Sequence, residues 1–253
     1  MGGILPVNKD KEFHGGLMWF RRDLRVTDNA ALYHALKSCV QVHCVFVLDR
    51  EILDPLPRAD RRVEFIRETL VELDAALRDL AVQPDAGLIV LHAMARQELP
   101  HLARKLGVQA VFANHDYEPQ AMERDAAVRG ALANAGIALH TCKDQAIFER
   151  DEILTQIGKP YGVFTPYKNA WLKKVDGYYL KSYPVARYAA SLTARPPEHV
   201  HAIPGLREIG FEPTNLSELK IPTGARGGQA LFADFLHRID RYHAGHRVHD
   251  AEH

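Results

Sequence analysis

The sequence of 253 residues has few cysteines, no long apolar run and no excess of charge of either sign. Its cysteines, Cys39, Cys44 and Cys142, form neither a C-x-x-C pair nor a disulfide framework, which favours a reducing compartment. No apolar run reaches the length of a membrane span. Residues 1–13 lack the apolar core of a secretory signal. We therefore expect a cytoplasmic protein with no membrane partner.

Neither the net charge nor a search for common catalytic motifs indicates a function. Lys plus Arg and Asp plus Glu both number 32, so a net charge of zero does not indicate a nucleic-acid binder. The sequence has no G-x-x-x-x-G-K-[ST], no G-x-G-x-x-G after the first apolar run, no G-x-S-x-G and no H-E-x-x-H. The histidines near the end lack the Cys or carboxylate partners of a zinc pattern, so we predict no metal site. They are His237, His243, His246, His249 and His253.

Five short apolar runs are typical of strands that are buried on both faces of a parallel sheet. They are Gly16–Phe20, Val42–Leu48, Gly87–Leu91, Ala110–Ala113 and Ile137–His140. Segments with helical spacing lie between them, such as the apolar stripe from Ile66 to Leu80. This alternation predicts an α/β fold over residues 15–143, a Rossmann-like five-stranded doubly wound parallel sheet, after a tail at 1–14.

The regular spacing stops after about residue 143. Residues 144–223 are rich in Pro, Gly and Tyr, which predicts an extended connector draped over another domain. Within it only Tyr167–Lys174 indicates a helix. An amphipathic pattern follows at 228–242, with Leu231, Phe235, Leu236 and Ile239 on one side. We expect that side to be exposed and to favour association.

Ligands of an open α/β sheet bind beyond the carboxyl ends of its strands. The first strand runs into Trp19-Phe20-Arg21-Arg22-Asp23-Leu24-Arg25, and Thr27 or Asp28 is expected to cap the next helix. A helix cap does not explain three arginines and an aspartate at a strand end. A ligand site and a purely structural role are therefore both open for this string.

Three sequence blocks resemble the photolyase/cryptochrome family. The string W-F-R-R-D-L-R-x-x-D-N-x-A-L from Trp19 is similar to the opening block of the family. Residues 114–119 with Arg124-Asp125 are similar to its N-x-[DE]-[YI]-E-P-x-x-x-x-R-D block. Residues 160–171 resemble its Y-x-V-F-T-P-[FY]-x-x-x-W block. The resemblance covers residues 16–242 and implies a light-dependent flavoprotein whose partner is DNA with pyrimidine dimers.

The resemblance also implies an antenna chromophore in the α/β domain. Folate-binding relatives have a His after the second strand and an Asn-Glu pair, where this chain has Leu56 and Gln120-Ala121, so folate is disfavoured. The strings V-L-D and N-x-D resemble deazaflavin- or flavin-type members. We expect an antenna pocket, with an empty, vestigial pocket as the alternative. Its lining is predicted to be Arg21, Arg22, Asp49, Asp116 and Glu118.

For FAD, the resemblance places Tyr242 at the position of a family Tyr that contacts the FAD phosphates. The residues after His243 depart from the family. We therefore expect 224–253 to be the short helical start of a truncated all-α FAD domain, without catalytic residues.

The implied family role is repair of pyrimidine dimers by electron transfer from FAD, as in a deoxyribodipyrimidine photo-lyase, and this chain is expected to be catalytically incomplete. A cryptochrome-like photoreceptor and a stand-alone α/β module for a chromophore or nucleotide are the alternatives. The residues that would separate repair from signalling belong to the helical domain.

Overall fold

The computed structural model describes residues 11–241. Its strands are β1 (Phe13–Phe20), β2 (Cys39–Asp49), β3 (Leu88–Ala93), β4 (Ala110–Asn114) and β5 (Ala138–Cys142). Its α-helices are α1 (Ala30–Ser38), α2 (Arg50–Leu53), α3 (Arg61–Leu80), α4 (Ala95–Lys105), α5 (Pro119–Ala133), α6 (Phe164–Lys174) and α7 (Gly224–Arg238). Over this range no helix combines the length and apolar character needed to cross a bilayer.

The sheet is parallel throughout, with the strand order β3-β2-β1-β4-β5. β1 is the central strand, and its Met18 lies beside Cys44 of β2 and Phe112 of β4. Chain progression reverses direction between β1 and β4, which is the arrangement of a doubly wound sheet. The predicted Rossmann-like fold is confirmed, and the structure adds the strand order.

Alternate residues of β1 enter two separate cores, one on each face of the sheet. Met18 and Phe20 belong to the cluster that contains Leu36 of α1 and Leu70 of α3. Trp19 belongs to the opposite cluster, which is built from α4 and α5. Burial of each large side chain stabilises the fold by about 1.5–3 kcal/mol. Because both faces are covered, β1, β2 and β4 contain continuous apolar runs that made them visible in the sequence, whereas the edge strand β5 is only partly buried.

Helix α1 is capped by Asn29, whose side chain accepts a hydrogen bond from the Leu32 backbone N–H at 3.0 Å. The prediction that Thr27 or Asp28 caps this helix is therefore wrong. Asp28 has a left-handed backbone (φ 50°), and its carboxylate accepts from the Tyr183 N–H at 2.8 Å. Its side chain holds the connector rather than the helix.

The later part of the connector packs on the α/β domain. Val185, Leu192 and Phe211 are each about 2% exposed and join the core on the α1 and α3 face. The backbone N–H of Thr193 donates to the carbonyl of Val42 at 3.1 Å. These apolar residues follow neither a helical nor a strand period, so sequence periodicity did not indicate their burial.

A buried arginine anchors the later part of the connector. Arg195 is 4% exposed and donates to the carbonyls of Asp85 at 3.2 Å and Leu88 at 3.3 Å. Its Nη1 lies 3.6 Å from Asp74 Oδ1 of α3. A buried guanidinium requires such partners because the cost of its desolvation is high. This residue therefore joins connector, α3 and the start of β3.

Helix α7 exposes apolar side chains along most of its length. Leu231, Leu236 and Ile239 are 45–51% exposed, as predicted, and Phe232 is 61% exposed. Phe235 differs, since it is half-buried. The expected exposure is thus confirmed for three of the four predicted positions, and association through this helix stays a prediction.

Gly87 is a position where the backbone allows no side chain. It has φ +152°, and an added Cβ would lie 2.6 Å from Asp74 Oδ1 and 3.2 Å from Arg195 Cζ. We expect Gly87→Ala to lower the free energy of unfolding by about 1–3 kcal/mol, because the Arg195 anchor must move. Urea denaturation followed by circular dichroism measures this difference.

The matched control is Gly130→Ala in α5. An added Cβ there meets no atom within 4 Å. We expect this variant to be neutral or up to about 1 kcal/mol more stable, because alanine favours a helix over glycine. Equal stabilities of the two variants would contradict the account of Gly87.

Candidate functional site

The five predicted antenna residues lie along one edge of the sheet. β1 ends at Phe20, β2 at Asp49 and β4 at Asn114, and all three strands run parallel. Their carboxyl ends therefore meet where chain progression reverses, between β1 and β4, which is the usual ligand position in such sheets. The structure brings to this edge the predicted residues Arg21, Arg22, Asp49, Asp116 and Glu118.

Arg22 forms the outermost part of this edge. Its Nε lies 3.3 Å from Asp116 Oδ2, and its Nη2 lies 2.9 Å from Glu118 Oε1. The Arg22 and Glu118 side chains are 54% and 63% exposed, whereas Asp116 is 7% exposed. Exposed ion pairs contribute at most about 1 kcal/mol. The ion pair between Arg22 and Glu118 can therefore break at low cost when a ligand binds. The buried carboxylate of Asp116 stays in place beneath it.

Arg21 and Arg25 are bound to carboxylates of the domain itself. The Arg21 Nη1 lies 2.6 Å from both carboxylate oxygens of Asp125, and its Nη2 donates to the carbonyl of Asn114. The Arg25 Nη2 lies 2.9 Å from Asp144 Oδ2. Both terminal nitrogens of Arg21 are thus engaged, which makes Arg21 a support of the edge rather than a free ligand contact.

Behind the arginines lies a buried network of Asp23, Asn29 and Asn114, each at most 5% exposed. Asp23 Oδ2 accepts from Asn29 Nδ2 at 3.0 Å and from Asn114 Nδ2 at 2.6 Å. Asn114 Oδ1 accepts from the Ala31 N–H at 2.9 Å, and Asp23 Oδ1 from the Arg21 N–H at 2.8 Å. Much of the segment Trp19–Asn29 therefore has a structural role. This was one of the two interpretations that the sequence left open, the other being a ligand site.

Arg124 is the site residue that sequence reasoning missed. Its side chain is 10% exposed, its Nη1 lies 4.0 Å from Asp49 Oδ2 and its Nη2 lies 3.6 Å from Asp125 Oδ1, but neither Nε nor Nη2 makes a hydrogen bond. Asp49 Oδ1 accepts from the N–H groups of Glu51 at 3.2 Å and Ala95 at 3.3 Å, while Oδ2 accepts no hydrogen bond. The R-D block was visible in the sequence, but its spacing did not show that Arg124 turns inward.

The electrostatics of Arg124 follow from its position. Burial lowers the pKa of its guanidinium, and the charge of neighbouring Arg21 lowers it further. The carboxylates of Asp125, Asp49 and Asp116 act in the opposite direction. The Cζ atoms of Arg21 and Arg124 lie 4.8 and 5.2 Å from the centroid of the Trp19 ring. The ring supports both cations through cation–π attraction.

A second polar cluster joins β4 to the start of the connector. His115 Nδ1 lies 2.8 Å from Glu149 Oε2, His115 Nε2 lies 3.0 Å from Thr141 Oγ1, and the Tyr117 hydroxyl donates to Glu149. Burial by itself would raise the pKa of Glu149, but hydrogen bonds from Tyr117 and His115 and the charge of His115 lower that pKa overall. Burial, together with Glu149, raises the pKa of Tyr117.

Two open clefts in the described part of the chain lie elsewhere. One, of about 530 Å³, is lined by residues 59–62 with Thr214 and Asn215. The other, of about 340 Å³, lies between residues 24–27, α3 and the start of α7. Neither is lined by the predicted antenna residues, so an antenna pocket stays a prediction. Tyr242 lies outside the described residues, and its contact with FAD likewise stays a prediction.

No group of three or more His, Cys, Asp or Glu side chains within residues 11–241 is placed to hold a metal ion. Burial raises the pKa of Cys39 to about 12 and that of Cys142 to about 11, and it also raises the pKa of Cys44. Thiols with such high pKa values are poor nucleophiles.

The sheet order and the arginine-lined edge define a Rossmann-like α/β domain of the kind that binds a ligand beyond its strand ends. Comparison with known families agrees, since the family described as DNA photolyase matches residues 16–188. The chain belongs to the DNA photolyase family.

Its relatives include deoxyribodipyrimidine photo-lyases and cryptochromes. The deoxyribodipyrimidine photo-lyase of a Synechococcus strain is 33% identical over 203 residues, covering 78% of this chain and 40% of the relative. Chicken (Gallus gallus) cryptochrome-2 is 26% identical over 232 residues, covering 88% of this chain and 37% of the relative. The chain thus spans less than half the length of these curated relatives.

Solved structures share the fold. A class III photolyase from Agrobacterium tumefaciens superposes with a TM-score of 0.60 at 25% identity, covering 87% of this chain and 41% of its own. The archaeal photolyase of Sulfolobus tokodaii, whose structure contains two FAD molecules, gives 0.66 at 24% identity, covering 86% and 45%. These superpositions confirm the architecture of the α/β domain.

The lowered pKa of Glu149 predicts an acid-sensitive contribution to stability. A carboxylate with a lowered folded-state pKa contributes stability that is present above its ordinary value near 4.5. That contribution is lost as the pH falls through the folded-state pKa. We expect Glu149→Gln to be less stable than the parent chain at pH 7 and to lose less stability between pH 5 and pH 3. Urea denaturation across this range measures it, and parallel pH profiles would contradict the assignment.

Proposed function

We propose that this chain provides the light-harvesting domain of a photolyase-family protein and holds a flavin- or deazaflavin-type antenna chromophore at the carboxyl edge of its sheet. We further propose that the whole protein repairs pyrimidine dimers in DNA by light-driven electron transfer from FAD. Membership of the family, which includes photo-lyases and cryptochromes, supports a DNA-repair or photoreceptor role.

One observation carries the chromophore proposal. The carboxyl edge of the sheet combines an exposed guanidinium, Arg22, with buried atoms, Arg124 Nε and Asp49 Oδ2, that make no hydrogen bond. Buried polar groups without partners are rare in stable folds and often indicate a ligand or an ordered water. Flavin-type rings carry carbonyl acceptors beside an N–H donor. Guanidinium donors and a carboxylate acceptor complement that pattern.

The residues divide into ligand contacts and supports. Arg22 and Glu118 would bind the chromophore at the mouth of the site, and Asp116 would orient Arg22 from below. Arg21, bound to Asp125, would keep the edge rigid and exclude water. The bound chromophore would supply light absorption and energy transfer to FAD, which is chemistry of the cofactor rather than of the protein.

We assign the FAD chemistry to the part of the family architecture that this chain does not cover. The chain covers 40% of the Synechococcus photo-lyase. Tyr242 is the proposed FAD contact, on the basis of the family resemblance alone. By itself, the 253-residue chain would then be catalytically incomplete.

A cryptochrome-like photoreceptor is the second candidate. The match to chicken cryptochrome-2 supports it, although the identity of 26% is lower than the 33% to the Synechococcus photo-lyase. The higher identity favours the repair role. In either case the α/β domain would perform the same task, because a chromophore at the carboxyl edge serves both.

The chromophore proposal is tested by binding. We expect the purified chain to bind FMN or a 5-deazaflavin, with a shift in visible absorbance, and to bind a reduced folate more weakly. Arg22→Ala and Asp116→Asn should each weaken binding at least tenfold, about 1.4 kcal/mol. Fluorescence titration measures the dissociation constants.

Arg78→Ala is the matched control for Arg22→Ala. Arg78 lies on α3, which packs on the face of the sheet opposite to Trp19. Its side chain is similarly exposed (48%), and its Nη2 lies 2.7 Å from Asp74 Oδ2. Its removal should leave chromophore binding unchanged. The proposal fails if no chromophore binds, or if Arg22→Ala and Arg78→Ala have the same effect.

The proposed division of labour gives a second test. We expect the 253-residue chain to co-purify without stoichiometric FAD and to leave cyclobutane dimers intact under blue light. A complete photo-lyase in the same assay provides the positive control. Stoichiometric FAD or measurable repair by this chain would contradict its proposed catalytic incompleteness, without affecting the chromophore proposal.

A further inference from the structure

Two half-buried histidines lie where the later part of the connector packs on the α/β domain. His43 is in the middle of β2, and His199 ends a short 3-10 turn at Pro197–His199. Among residues 11–241, the buried ring atoms His43 Nδ1 and His199 Nε2 make no hydrogen bond. Buried polar atoms without hydrogen bonds are rare, so the two rings require an explanation.

The alternation of side chains along β2 shows which face of the sheet carries His43. Val42 and Cys44 belong to the core on the α1 and α3 face, whereas Val45 and Val47 belong to the core built from α4 and α5. Because alternate residues of a strand point to opposite faces, His43 points to the side of α4 and α5.

The connector reaches this side of the sheet beside His43. Glu198 Oε1 lies 2.9 Å from Lys105 Nζ, at the end of α4. Earlier in the connector, the Thr193 N–H donates at 3.1 Å to the β2 carbonyl that precedes His43. The turn that ends at His199 therefore packs close to His43, and the two rings lie in one interface between connector and domain.

Both rings are held in the neutral form by this interface. Burial lowers the pKa of His43, and the charge of His199 lowers it further. Burial also lowers the pKa of His199 overall, although it has charged and titratable neighbours of both kinds. Glu198 and Glu98 raise that pKa, whereas Lys105 and His201 lower it.

We propose that His43 and His199 form a proton-sensitive latch, which holds the connector segment 193–201 on the α/β domain at neutral pH and weakens that hold in mildly acidic solution. When both rings are neutral, the segment packs over them without placing a charge in the interface. A proton on either ring adds a poorly hydrated cation, and a second proton adds repulsion between two cations. The latch shares no residue with the carboxyl-edge site, so it does not rest on the proposed function.

The direction and size of the effect follow from proton binding. Release of the segment returns both rings to water, where the imidazole pKa is about 6.5. The released form then binds more protons than the docked form, so docking is strongest above about pH 6.5 and weakens as the pH falls below it. Between pH 7.5 and pH 5.5, a ring that stays neutral when docked weakens docking by about tenfold, and two such rings by about 100-fold.

Backbone amide hydrogen exchange of the full 253-residue chain tests the latch, with rates corrected for the intrinsic effect of pH. The reporters are the N–H groups of Thr193 and Arg195, each of which donates to a carbonyl of the α/β domain at 3.1 Å. We expect their protection to fall by about tenfold to 100-fold from pH 7.5 to pH 5.5. The amide of Val128 in α5 should change less than threefold.

The double variant His43→Gln with His199→Gln removes both titrating rings and keeps polar side chains. Its reporter amides should change less than threefold between the two pH values. The matched control is His34→Gln on α1. Burial and the charge of Lys37 also lower the pKa of His34, and its ring lies 5.7 Å from that of Tyr183, just before the segment. This control should show the full loss of protection.

Circular dichroism verifies that each variant folds. If the double variant does not fold, His199→Gln alone carries the test, and its loss of protection should be at most about tenfold because one ring remains.

Three results would overturn the proposal. The first is a change of less than threefold in the parent chain, and the second is the same loss in the parent chain and in the glutamine variant of His199 or of both rings. The third is an equal loss at Val128 and Thr193, which would indicate unfolding of the whole domain rather than release of the segment. None of these measurements requires a chromophore, DNA or light, so this proposal and the proposed function fail separately.

Discussion

The hydrogen bonds among Asp23, Asn29 and Asn114 hold together the part of the molecule on which the candidate site depends. They link the end of β1, the start of α1 and the end of β4 in a place that excludes water. Buried polar groups are tolerated only when partnered, so a change at one of them would remove hydrogen bonds from the other two. The network fixes the directions in which the backbone leaves β1 and β4, and those directions place the arginines.

Around that network, three arginines lie at different depths, from the buried base of the site to its exposed mouth. Arg21 is paired with Asp125, Arg124 lies near Asp49 with some donors unused, and Arg22 extends toward solvent over Asp116. Fixed charges supported by buried partners are already oriented before a ligand binds, which reduces the ordering cost of binding. The site is thus rigid at its base and adjustable at its mouth.

The sequence predicted the sheet well, because strands buried on both faces leave continuous apolar runs. It also predicted a common edge, because parallel strands end together. The residues at this edge are Arg21, Arg22, Asp49, Asp116 and Glu118. It did not predict the burial of Val185, Leu192 and Phe211, whose spacing follows no period. Nor did it show that Asn29 rather than Asp28 caps α1, since both residue types favour that position. Arg124 was missed because its inward turn depends on tertiary contacts with Trp19 and Asp49.

The stacking of two guanidinium groups near Trp19 also has an optical consequence. The chain has two tryptophans, and Trp19 is 2% exposed, whereas Trp171 is partly exposed on α6. The emission energy of an indole depends on the polarity and the electric field around its ring. Trp19 is buried beside two guanidinium groups, whereas Trp171 packs against Phe148. The intrinsic fluorescence of the protein therefore consists of two distinguishable emitters, one at the carboxyl edge and one in the connector. Each of the two regions therefore contains one intrinsic tryptophan fluorophore.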